Sequence, residues 1–131
     1  MLLHCSRSLV VLAVLAAGCS DSTQPCIALP ATPPIAFQPA VVVGISDSIT
    51  GKPVADSASG TVRSIVASDS LHHGYGQMDS IVYGMVSPGT YTVMVQRPGY
   101  IPWYRYNVVV AAGNCGMAVP ANLTARLKPS V

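Results

Sequence analysis

The sequence predicts an all-β protein, an antiparallel β-sandwich of about seven strands. Three observations predict it. Short runs rich in Val, Ile, Thr and Tyr recur along residues 40–128, each bounded by Gly, Pro, Asp or Ser. Within them apolar and polar residues alternate, the period of a strand with one buried face. No segment of that region carries apolar residues at the spacing of an amphipathic helix. The 131 residues hold one domain of ordinary size with tails.

The first element is an address. In residues 1–18, His4 and Arg7 make a weakly basic start, an uninterrupted apolar run extends from Leu9 to Ala17, and small residues close it. That is the architecture of a secretory signal, and the run is about half of the roughly 20 apolar residues a spanning helix needs. The segment Leu15-Ala16-Ala17-Gly18-Cys19 resembles the lipobox of bacterial lipoproteins, although its leucine stands one position before the commonest place. The resemblance implies that Cys19 is lipidated and begins the mature chain. Several acyl chains would make that attachment stable where one alone is marginal. Ser20 resembles the sorting context for an outer membrane, so the expected location is the cell envelope, at an outer membrane facing the periplasm or the cell surface.

Residues 19–39 follow as a lipidated tether. Pro25, Pro30, Pro33, Pro34 and Pro39 stand there among Ser, Thr, Asp and Gln, a composition that favours extended geometry over packing. The four cysteines are then divided: Cys5 leaves with the signal, Cys19 takes the lipid, and Cys26 and Cys115 remain in an oxidising compartment. A Cys26–Cys115 disulfide is the expectation. It would shorten the free leash beyond the lipid to roughly 20 Å and hold the domain close to its membrane.

Residues 40–131 form the sandwich. Strands are expected at about Ala40 to Ser46, Thr61 to Ser68, Ser80 to Val86, Thr90 to Arg97, Trp103 to Val110 and Asn122 to Lys128. Tyr91, Val93 and Val95 are the buried side of one strand, opposed by Thr92, Met94 and Gln96; Leu123, Ala125 and Leu127 are the buried side of another. Pro88-Gly89 has the residue types of a type II turn and is expected to join the Ser80 and Thr90 strands as a hairpin. Thr50-Gly51-Lys52-Pro53 closes the first strand in a similar way.

Two motifs in this region carry a resemblance. Asp47-Ser48-Ile49-Thr50-Gly51-Lys52-Pro53-Val54 after an apolar strand, with Pro88-Gly89-Thr90-Tyr91-Thr92-Val93-Met94-Val95 and then Gly99-Tyr100, is similar to the carboxypeptidase regulatory-like family. The resemblance covers about residues 40–128. It implies a transthyretin-like (prealbumin-like) sandwich of about seven strands that accompanies other modules and is itself non-catalytic. The chain departs from the pattern at Ala55 to Gly60 and at Leu71 to Gln77, which leaves the topology of 55–79 open.

Composition narrows the chemistry. Charged residues make up 9% of the chain against about 25% in soluble domains, and the six basic residues beyond Arg7 are scattered from Lys52 to Lys128. Nucleic-acid binding needs a dense basic stripe and is excluded as a function. The chain has five Asp and no Glu, which excludes glutamate-dependent acid, base or zinc chemistry. No G-x-S-x-G or S-x-x-K motif occurs, and the Asn122-Leu123-Thr124 match to a glycosylation acceptor has no meaning in a bacterial lipoprotein. No enzyme activity, cofactor or metal is expected.

Two constellations remain. Asp69, His72, His73 and Asp79 surround one loop and would suit a metal only if a turn converged them, because adjacent strand residues point to opposite faces. Tyr100, Trp103, Tyr104 and Tyr106, four of the eight aromatic residues, stand beside Arg105. Tyr104 and Tyr106 alternate in phase with Val108 and Val110 and are expected in the core, which leaves Trp103 and Arg105 on the opposite face. The resemblance also implies that Tyr100 is a packing residue. The expected function is therefore a membrane-anchored envelope lipoprotein whose sandwich is a structural or protein-interaction module. The alternative is a carbohydrate- or peptide-binding module using the aromatic cluster around Trp103, and a third reading is a metal-binding protein using His72 and His73. An envelope protein or glycan is the corresponding partner.

Overall fold

A computed structural model describes residues 38–74 and 80–131. The signal, Cys19, Cys26, most of the tether and Asp79 lie outside the described residues. Within them the fold is all-β. Its strands are β1 (Val41–Asp47), β2 (Ser59–Arg63), β3 (Ser68–Ser70), β4 (Ile81–Gly84), β5 (Gly89–Gln96), β6 (Trp103–Ala112), β7 (Ala118–Val119) and β8 (Ala121–Leu127). One 3-10 turn, Asn114–Gly116, separates β6 from β7. No helix among the described residues is long and apolar enough to cross a membrane.

The strands make two sheets, ordered β4-β1-β8 and β3-β2-β5-β6-β7. Alternation in β1 is complete: Val41, Val43, Ile45 and Asp47 are buried and the residues between them are not. Val41, Val43 and Ile45 share one core with Val82 of β4 and with Ala125 and Leu127 of β8. From the other sheet come Val62, Tyr91, Val93, Val95, Val108 and Val110. Two sheets closing on one apolar layer is a sandwich-like arrangement.

Three expectations about connectivity need correction. The sandwich is not wholly antiparallel, because β8 runs parallel to β1 through seven residue pairs, from Val41 with Ala121 to Asp47 with Leu127. The run expected at Thr61 to Ser68 is two strands, broken where the Ser64 side chain caps a tight turn by accepting from the backbone N–H groups of Val66 and Ala67. Pro88-Gly89 does not close a hairpin, since β4 lies in one sheet and β5 in the other. The glycine has a different use. A Cβ on Gly89 would come within 3.2 Å of the Tyr91 ring, which folds back so that its hydroxyl donates to the Ser87 carbonyl at 2.8 Å.

This tyrosine corner pins the crossover between the sheets. Tyr91 is only 4% exposed, so removing its hydroxyl deletes a part-buried hydrogen bond. Tyr91→Phe is expected to cost about 1 kcal/mol, read as a fall of about 4–8 °C in Tm.

One side of the sandwich is stitched. His72, just beyond β3, exchanges two backbone hydrogen bonds with Tyr83 of β4, at 2.8 and 2.9 Å, so the two sheets are joined there. The opposite side is bridged at its end, beyond Trp103 and Leu127, and not along β6 and β8 themselves.

Candidate functional site: a cleft between two diverging strands

The unstitched side begins as an ordinary hairpin. Ala111 and Ala112 of β6 pair with Val119 and Ala118 of β7 across the turn that holds Cys115. Cys115 and Gly116 take positive φ, 60° and 73°, to make that turn. Cys115 is exposed and engaged rather than free. The partner that the sequence assigns it, Cys26, lies outside the described residues. Pro120 then ends the ladder, because it has no N–H to donate. Beyond it β8 leaves β6 and pairs with β1.

The strands meet again at their far ends. Ile101 N donates to Lys128 O and Ser130 N donates to Gly99 O, each at 2.9 Å. Between the hairpin and this closure lies a cleft of about 230 Å³ lined by Trp103, Arg105, Asn122, Leu123 and Thr124.

A bulge decides which β6 residues enter the cleft. Tyr91 pairs with Val108, but Val93 pairs with Arg105, so β6 holds one residue more than β5 over this stretch. Asn107 takes the extra place with φ 55°, a conformation that Asn tolerates better than other non-glycine residues. The insertion inverts the phase of alternation. Trp103 and Arg105 stand opposite Val95 and Val93, on the inward side of the sheet. Trp103 is half-buried against the core. Tyr104 and Tyr106 are therefore not core residues as expected. They point outward, 48% and 64% exposed, with rings nearly parallel at 6.1 Å.

Tyr100 belongs to neither group. Its hydroxyl donates to Asp47 Oδ2 at 2.8 Å, and the Arg97 guanidinium lies 5.1 Å from its ring centroid while pairing with Asp56 at 3.0 Å. It is a packing residue that locks the turn after β1. Asp47 Oδ1 accepts the backbone N–H groups of Ile49 and Thr50, both at 2.7 Å. The Thr50 N–H, then the Tyr100 hydroxyl, lowers the Asp47 pKa from 3.8 to about 2. The folded pKa lies below the unfolded one, so this carboxylate adds stability above the unfolded value and the contribution disappears as pH falls through the folded one. Stability, followed by denaturant unfolding from pH 5 downward, is expected to fall between the ordinary 3.8 and about 2. Asp47→Asn is expected to flatten that dependence.

The paired histidines do not converge. His72 Nε2 lies 3.3 Å from Asp69 Oδ1, and the other Asp69 oxygen accepts the Met85 N–H at 2.7 Å. His73 Nε2 is 2.6 Å from the Ala58 carbonyl. Among the described residues no three ligand side chains come together.

Of the five predicted binding residues, then, two line the cleft, two face outward and one packs. Sequence reasoning missed Leu123 and Thr124 as lining residues and considered Asn122 only as a glycosylation match. The signal that could have found them is Pro120, which marks where the hairpin must split. Arg105 makes no ion pair among the described residues. Two larger hollows, of about 460 and 470 Å³, lie at Arg63 and Asn107 and beside Tyr100, and contain neither Trp103 nor Arg105. Compared with protein-family models and with curated proteins, the chain matches neither.

Proposed function

We propose that this is a lipid-anchored protein of a bacterial envelope whose sandwich is a non-catalytic binding module, and that it engages its partner at the cleft beside Trp103. The anchor rests on the lipobox-like segment ending at Cys19, with residues 19–39 as tether and a Cys26–Cys115 bridge drawing the domain toward the membrane. A transthyretin-like arrangement of about seven strands belongs to the same proposal, supported by the Asp47–Val54 turn motif and the two-sheet core.

The observation that carries the binding reading is the makeup of the cleft. A flat indole sits beside a guanidinium without an ion-pair partner, across from residues 122–124 of β8. Such a mixture of one apolar surface and a few convergent polar groups orients a ligand. The partner is an envelope protein or glycan.

Two measurements test this. Intact mass of the protein extracted from membranes, before and after reduction, is expected to show a chain beginning at acylated Cys19 and two hydrogens lighter before reduction; an unlipidated chain overturns the anchor. Capture of envelope proteins and glycans by the full protein is expected to be lost in Trp103→Ala. Equal recovery by that variant, shown folded by circular dichroism, overturns the binding site.

A further inference from the structure

Both walls of the cleft are unpaired strand edges. Along Trp103–Val110, β6 pairs only with β5, and β8 pairs only with β1. The direction of the β8 peptide groups follows from its two ends. Ala121 N donates to Ala40 O, and Leu127 O accepts from Ser48 N. In a parallel strand the N–H and C=O of one residue point the same way and alternate along the chain. Ala121, Leu123, Ala125 and Leu127 thus face β1, and Asn122, Thr124 and Arg126 turn their donors and acceptors to the open side.

The charge at this seam has one sign. Arg105 of β6 and Arg126 of β8 are exposed, and neither makes an ion pair among the described residues. The described carboxylates lie elsewhere: Asp47 is held by the Thr50 turn and Tyr100, Asp56 by Arg97, and Asp69 by His72 and Met85 N.

We infer that the seam is a docking site for an extended, acidic peptide segment of a partner protein, which adds as a strand along β8 with a carboxylate on Arg105. The inference rests on the binding reading above and names the chemistry of its partner. A row of unsatisfied backbone groups is matched by another backbone, which a sugar lacks. The unpaired guanidinium is matched by a carboxylate, and Trp103 offers its face to an alternate side chain of the same strand. The split at Pro120 leaves the opening between β6 and β8, while the closure at Ile101 and Lys128 limits its length.

Trp103 is the single tryptophan of the chain and reports on the cleft directly. The full protein in detergent would be titrated with the blocked peptide Val-Thr-Val-Asp-Val-Thr-Val, following Trp103 fluorescence. A saturable change is expected, with Kd raised about tenfold by Arg105→Gln and by the Asn-containing peptide, the loss of one charge-assisted bond. Thr124→Pro removes an N–H that faces the opening and none that faces β1, and is expected to weaken binding similarly. Should that variant fail to fold, N-methylation of alternate peptide amides removes the same class of bond from the ligand side.

Equal binding of the N-methylated and unmodified peptides overturns strand addition. Equal binding of the Asn-containing peptide overturns the acidic requirement. Saturation by a glycan fragment but not by the peptide leaves the binding reading standing and overturns the inference. No response to either, together with undiminished capture by Trp103→Ala, removes both. A concentration-dependent dimer in sedimentation that Thr124→Pro abolishes assigns the edge to a second copy and overturns the inference.

Discussion

Leu127→Ala is expected to lower the stability of the fold by about 2–5 kcal/mol. Leu127 is fully buried, and it ends the strand that reaches across from β6 to complete the smaller sheet. Its side chain joins Val41, Val43 and Ile45 of β1 in the common core. Its carbonyl also accepts from Ser48 N at 2.8 Å, beside the turn that Asp47 and Tyr100 hold together. Truncation to alanine removes three carbons where a two-sheet core has little freedom to collapse. Urea unfolding monitored through Trp103 would show the midpoint fall with little change in slope. A midpoint within error of the parent would mean that β8 contributes little to the core.

Gly60→Ala is expected to cost about 3 kcal/mol, at the upper end for an overpacked core. Gly60 lies in β2 opposite Val95 of β5. An added Cβ would run into the Met94 carbonyl oxygen and approach Leu71 Cδ1 at 2.7 Å. The leucine end can swing aside, but the carbonyl belongs to the central strand of the larger sheet and cannot. Gly44→Ala is the matched control, because its Cβ would meet only the Leu123 carbonyl at 3.8 Å. That change is expected to stay within about 0.5 kcal/mol. The contrast between the two variants in one denaturation series isolates the steric effect from the loss of glycine itself. Equal effects would overturn the steric explanation.

Much of the fold was legible from β-branched runs and from alternation. The first strand is displaced by one residue from its expected bounds. The buried set Tyr91, Val93 and Val95 is as the period predicts, and in β8 Ala125 and Leu127 are buried while Leu123 is half-buried. What alternation cannot report is an extra residue. A single bulge at Asn107 exchanges the two faces of half of β6, and so carries Tyr104 and Tyr106 out to solvent and brings Trp103 and Arg105 to the cleft. An asparagine between an aromatic run and a valine run was the available cue, since few other residues accept positive φ. Turn chemistry had a different blind spot. Pro88-Gly89 shows where the chain bends but not whether the next strand stays in its own sheet, and β5 goes to the other sheet by pairing with β2 and β6. The candidate site was legible as a set of residues and illegible as a place, because the cleft depends on where β6 and β8 part.

The parallel pairing of β1 with β8 sets the order in which this protein can be completed. Val41 pairs with Ala121 and Asp47 with Leu127, so the first strand finds one of its two neighbours at the far end of the domain. Closing so long a loop is entropically costly before any of its contacts form, and folds dominated by such pairs form slowly. A chain made or exported N-terminus first must leave β1 with one edge and part of its apolar face uncovered until residue 127 has followed. During that interval Val41, Val43 and Ile45 form an exposed β-branched strand, the kind of segment that recruits other chains. The same delay makes any stop before β8 a source of aggregation rather than of a smaller working domain.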